Sequence, residues 1–181
     1  MTTRLLIYGA NGYTGEMIAR AAAAQGLSPI LAGRSEPAVA ALARELGCEF
    51  RVFGLANPSA VAAGLTGCRV VIHCAGPFSA TAAPMMAACI AAHAHYTDIT
   101  GEIDVFELGF QQDAAARQAG IVVCPGVGFD VVPSDCIALT LKQVMPDATR
   151  LALGFDSRSR MSRGTASTSV AGLGYGSRVR E

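Results

Sequence analysis

A chain of 181 residues that is 51% apolar, 15% charged and formally neutral is too hydrophobic to stay disordered, and it has no electrostatic excess with which to hold nucleic acid or an anionic membrane. Its length suits one well-buried domain and the opening of a second. A small-molecule site is the expectation that composition leaves.

In chain order, short apolar runs alternate with Ala-rich runs at helical spacing. Strands are predicted over residues 4–8, 29–32, 50–53, 69–74, 95–99 and 121–124, and helices over 12–25, 36–46, 58–64, 81–93 and 103–118. Runs such as Leu5-Leu6-Ile7-Tyr8 and Val70-Val71-Ile72-His73 lack polar alternation, as parallel strands covered on both faces should. The alternation predicts an α/β fold, a Rossmann-type doubly wound parallel sheet with right-handed crossovers, over residues 1–132. Beyond it, Val132-Pro133-Ser134-Asp135 reads as a turn opening a helix that ends at Met145. Residues 149–156 then read as a strand and 157–163 as an Arg-rich loop, so 133–181 is expected to be the truncated beginning of a second α/β domain.

Six cysteines without a CxxC pair argue against a zinc site or a disulfide framework and fit a reducing, cytoplasmic setting. His73, His93 and His95 have no carboxylate or thiol at metal-ligand spacing, so no metal is expected. The stretch before Gly9 is too short for a signal peptide, and the apolar run 82–92 is Ala-rich and contains Pro84, so a soluble protein without membrane association is expected.

The most informative motif is Gly9-Ala10-Asn11-Gly12-Tyr13-Thr14-Gly15, placed between the first strand and the first helix. Gly9 permits a tight turn, Gly12 lets backbone approach a diphosphate, and Gly15 lets helix and strand pack closely, with the anion at a helix N-terminus. The second strand ends in Gly33-Arg34-Ser35, without the acid that would accept ribose hydroxyls in an NAD site. Arg34 and Ser35 instead offer a guanidinium fork and a hydroxyl to a 2′-phosphate, which favours NADP(H). The fourth strand runs into Cys74-Ala75-Gly76-Pro77 at the carboxyl edge of the sheet, where small residues would let backbone lie against the ribose and nicotinamide.

These segments, with Tyr96-Thr97-Asp98-Ile99-Thr100-Gly101-Glu102 and Gly128-Phe129-Asp130-Val131-Val132-Pro133-Ser134-Asp135, resemble the saccharopine dehydrogenase-like family, and within it the trans-acting enoyl reductase type. The resemblance implies an NADP(H)-binding Rossmann domain followed by an α/β substrate and dimerisation domain, of which only the start would be present. A homodimer through that second domain is one assembly it allows. Related domains often carry an Asp near the adenine after the third strand; Gly54-Leu55 stands here, which leaves adenine contacts to backbone.

Hydride transfer also needs a proton donor or acceptor near the nicotinamide. Tyr96, Asp98, Glu102 and Asp130 are the acid/base candidates, with Asp135 close by, all following strands at the expected edge. Each has a structural alternative: Asp98 or Ser134 as a cap, Glu102 at a helix start, Tyr96 in the core. The Tyr-x-x-x-Lys pair of short-chain dehydrogenases is absent, because the only lysine, Lys142, is preceded four positions earlier by Ala138. The expected function is an NADP(H)-dependent reductase of an enoyl or related small molecule. A non-catalytic NADP(H)-binding regulatory module is the alternative.

Overall fold

In the computed structural model, residues 4–129 and 131–154 are described, with the single positions 166 and 170. Six strands, β1 (Leu5–Tyr8), β2 (Ile30–Gly33), β3 (Phe50–Val52), β4 (Val70–His73), β5 (His95–Asp98) and β6 (Val123–Cys124), form one sheet in the order β3-β2-β1-β4-β5-β6. Every pairing is parallel. Helices α1 (Tyr13–Ala24), α2 (Glu36–Leu46), α3 (Pro58–Gly64), α4 (Phe78–Ala91), α5 (Ile103–Gln111) and α6 (Asp113–Ala119) make the crossovers, and α7 (Val132–Val144) follows β6.

Adjacent strand residues enter different cores, as the period-two geometry of a strand requires. Leu6, Tyr8, Ile30 and Ala32 pack with Val61, Leu65, Met85, Met86 and Cys89 from α3, α4 and their flanks. Ile7 and Leu31 pack with Ala19, Val39, Leu42 and Ala43 from α1 and α2. This double coverage is why the central strands read as uninterrupted apolar runs. The chain leaves β1 toward β2 and returns to the other side of β1 as β4, so a crevice opens at the carboxyl ends of β1 and β4.

Local chemistry fixes the outer elements. Asn57 caps α3 by accepting hydrogen bonds from the Ser59 and Ala60 amides at 3.0 and 3.2 Å. Arg51 reaches from the edge strand to donate to the carbonyls of Gly64 and Thr66, both at 2.8 Å, at the other end of that helix. Gly47 closes α2 in the left-handed region, at φ 66°.

Three expectations are corrected. The helix expected over 103–118 is two helices, α5 and α6, separated at Gln112, whose amide is shared between the carbonyls of Leu108 and Gly109. The apolar face continues across that break, so the sequence pattern does not register it. Helix α4 starts at Phe78, before the expected residue 81, because its first amides are capped by a carboxylate far along the chain. The strand expected from residue 149 is absent through residue 154; that stretch is exposed and pairs with no strand among the described residues. The remainder of that segment, the loop 157–163 and the Gly-rich 172–176 lie outside the described residues.

A Cβ on Gly64 would run into the ring of Phe53, which is packed on Tyr8 with ring centroids 5.0 Å apart. Gly64→Ala is therefore expected to destabilise the chain by about 1–3 kcal/mol, measured as a lowered urea midpoint. An unchanged midpoint would show that the ring has room to retreat.

Candidate dinucleotide site

The turn joining β1 to α1 is built by backbone constraints. Gly9 adopts φ 81°, and its amide and that of Ala10 donate to the Ala32 carbonyl at 2.8 and 3.1 Å. A Cβ on Gly9 would meet Ala75 and Cys74 at 3.0 Å, and one on Gly15 would overlap the Gly9 carbonyl. Gly12 stands at the N-cap of α1 with no side-chain capping bond. Its own amide bonds to Gly9, and the first full helical turn is closed by the Glu16 amide on Gly12 at 2.8 Å. The amides of Tyr13, Thr14 and Gly15 thus belong to the uncapped first turn, where a helix offers its partial positive charge. Tyr13 itself is largely exposed, at 62%.

The neighbouring strand ends complete the crevice. Asn11 lies over β2, its Oδ1 2.8 Å from where a Cβ on Gly33 would stand, which is why that position lacks a side chain. Arg34 is exposed and makes no ion pair among the described residues. Its charge reaches the Tyr8 hydroxyl, where it opposes the larger upward pull that burial exerts on that phenol's pKa. Ser35 occupies the N-cap of α2 without making a capping hydrogen bond. On the other side of β1, the half-buried Cys74-Ala75-Gly76-Pro77 leads from β4 into α4, with a cis Gly76-Pro77 bond. Burial, and secondarily Asp98, pushes the Cys74 thiol up to about 12, so it is a neutral wall residue.

Tyr96, Asp98 and Glu102 do come together, as a frame of satisfied groups. Asp98, at 0% exposure, accepts from the Tyr96 hydroxyl at 2.6 Å and from the Thr100 and Gly126 amides at 3.0 and 2.8 Å. Burial raises its pKa, and these donors pull in the opposite direction. Tyr96 is also fully buried, and its phenol is driven upward first by burial and then by Asp98. Glu102 accepts from the Phe78 and Ser79 amides at 2.9 and 2.7 Å, capping α4 from across the fold. Asp135 lies exposed in the first turn of α7, Ser134 donates to the Val131 carbonyl at 2.8 Å, and Asp130 lies outside the described residues.

Sequence reasoning missed Thr81, whose hydroxyl contacts the carbonyls of Ala75 and Pro77 and the ring of buried His73. Its position four residues after Pro77 was the available signal, since a helical threonine can bond back by that spacing.

A strand-turn-helix whose helix N-terminus has no side-chain cap, at the reversal of a six-stranded parallel sheet, defines a dinucleotide-binding Rossmann domain. The family model for the saccharopine dehydrogenase NADP binding domain matches residues 5–124. A trans-acting enoyl reductase from Mycobacterium leprae is 31% identical over 157 residues, covering 80% of this chain and 37% of that protein. A human saccharopine dehydrogenase-like oxidoreductase is 28% identical over 153 residues, covering 72% of this chain and 35% of its own length. Among solved structures, saccharopine dehydrogenase (L-Glu forming) from Saccharomyces cerevisiae superposes with a TM-score of 0.70 at 18% identity, over 81% of this chain and 32% of that one. The chain belongs to the saccharopine dehydrogenase-like oxidoreductase family and carries its NADP-binding domain. It spans a little over a third of the length of these curated relatives.

Removing Asp98 would leave the Tyr96 hydroxyl and two amides without their acceptor. Asp98→Ala is expected to lower unfolding free energy by about 3 kcal/mol or more, read from urea titration; a loss below about 1 kcal/mol would contradict the frame. His73 gives a pH signature. Burial lowers its pKa from 6.5 to about 3, so below pH 6.5 the unfolded chain binds the proton that the fold refuses. The stability this residue confers is complete above that value and declines as pH falls, by about 2 kcal/mol between pH 7 and 5. Wild type should lose that much more than His73→Gln over this interval, and equal losses would count against it.

Proposed function

We propose that the crevice holds NADP(H) extended along the carboxyl edge of the sheet. The diphosphate rests on the α1 amides framed by Gly9, Ala10, Asn11, Gly12, Tyr13, Thr14 and Gly15. The 2′-phosphate meets Arg34 and Ser35, and the nicotinamide end lies along Cys74, Ala75, Gly76 and Pro77. One observation carries this reading: the α1 N-terminus has no side-chain cap, and the three glycines let the turn fold back tightly on β1 and its neighbour behind it. With the centre fixed on β1, β2 and β4 flank it on opposite sides, so a dinucleotide spanning the crevice must put its two ends on those two strands. An unpaired guanidinium after β2 favours the adenosine phosphate there.

The chemistry that the bound cofactor supplies is hydride donation, and the domain's own contribution is orientation and exclusion of water. Tyr96, Asp98 and Glu102 serve this as the frame that sets the β5 end and the α4 start; their commitment to internal donors argues for holding geometry over shuttling protons. The whole protein is proposed to reduce an enoyl or related small-molecule substrate, in line with the names of its relatives.

Cofactor titration tests the placement. Arg34→Ala should weaken NADPH binding by about 10- to 100-fold, the value of one or two charge-assisted hydrogen bonds, and leave NADH binding unchanged. An undiminished NADPH preference in the variant would remove the assignment of Arg34. Oxidation of NADPH by the full-length protein in the presence of an enoyl thioester would support the reductase, whereas tight binding without turnover of any such substrate would favour a regulatory module.

A further inference from the structure

His73 ends β4 with its side chain at 0% exposure, its ring 5.5 Å from Tyr8, 5.4 Å from Phe78 and 6.2 Å from Tyr96 between centroids. Within this apolar cage its Nε2 lies 3.0 Å from Thr81 Oγ1. The same hydroxyl lies 2.7 Å from the Ala75 carbonyl and 3.0 Å from the Pro77 carbonyl. Carbonyls only accept, so the single hydroxyl proton goes to them, and the oxygen must accept from His73. The imidazole is therefore the Nε2–H tautomer, and its Nδ1 is the buried atom left without a partner. Burial keeps the ring neutral, so this polarity persists across ordinary pH.

The consequence falls on the Ala75–Pro77 segment. With the Ala75 carbonyl turned in toward Thr81, the N–H of Gly76, on the opposite side of the same trans peptide, is turned away from it. We propose that His73 and Thr81 form a positioning relay that holds this segment so that the Gly76 amide meets an acceptor oxygen on the nicotinamide riboside half of NADP(H). This rests on the cofactor placement proposed above. The donor order runs from imidazole to hydroxyl to carbonyl: loss of the Thr81 hydroxyl leaves the segment free to rotate its carbonyl outward, and loss of His73 removes the donor that fixes the hydroxyl's direction.

The test compares two ligands on the full chain: NADPH, and 2′-phospho-ADP-ribose, which keeps the phosphates and lacks nicotinamide. Thr81→Val, close to isosteric, should weaken NADPH about tenfold, the worth of one buried hydrogen bond, and leave 2′-phospho-ADP-ribose unaffected. Thr81→Ser should bind both as wild type does. His73→Gln, which retains an N–H for Thr81, should also match wild type, and His73→Leu, which leaves the hydroxyl bonded to the carbonyls but without the donor that directs it, should show the valine pattern in weaker form. Equal weakening of both ligands, or none, by either Thr81→Val or His73→Leu overturns the relay. Should either variant fail to fold by circular dichroism, Thr81→Ala provides the same comparison without added bulk. Wild-type chain that binds neither ligand overturns the cofactor placement instead, which keeps the two failures distinct.

Discussion

The close approach of α1 to the end of β1 is the constraint from which the site follows. Gly15 stands so near the Gly9 carbonyl that no side chain fits between them, and Gly9 is held at positive φ against Ala75. Helix and strand can meet in this way only through glycine, and the meeting leaves the first turn of α1 aimed at the sheet reversal with its amides uncovered. An ordinary helix would recruit Ser, Thr, Asp or Asn for those amides. Here the cap position is Gly12, which has no side chain to offer them.

A second set of amides shows the opposite solution. The N-terminus of α4, next along the same edge, is closed by Glu102 from within the protein. The two helix starts lie on neighbouring sides of the crevice, one answered by an internal carboxylate and one without a side-chain cap. Asp98 works similarly on the loops after β5 and β6, tying the Thr100 and Gly126 amides to the end of β5. Asp98 and Glu102, which suggest proton transfer when read along the chain, also serve as acceptors for backbone amides that the crossover loops leave unpaired.

What was legible in the sequence depended on locality. Alternation of apolar strands and Ala-rich helices is a local signal, and it located all six strands and the helical crossovers. The glycine turn was equally legible, because its chemistry lies within seven consecutive residues. Contacts between distant positions were hidden: the Glu102 cap 24 residues from Phe78 displaced the α4 start, and the His73–Thr81 contact depends on a helix packing over a strand end. The break at Gln112 was invisible for another reason, since a shared amide changes backbone geometry without altering which residues face the core. The strand expected from residue 149 failed because apolar alternation states only what could pair, and pairing needs a neighbour.

On the proposed placement of NADP(H), the two ends of the crevice recognise it in different ways. After β2 stands an exposed guanidinium, in contact with solvent and subject to ionic screening. After β4, the groups behind the surface are a buried imidazole and a hydroxyl bonded to the chain's own carbonyls, and what they set is the direction of a few peptide units. Charge in water discriminates by the presence or absence of a phosphate and tolerates small displacements. Fixed peptides discriminate by position, which is what a reacting ring requires. On that placement, a distal phosphate is read loosely and the reactive end is held rigidly, so tolerance falls where an error affects affinity and precision where an error affects chemistry.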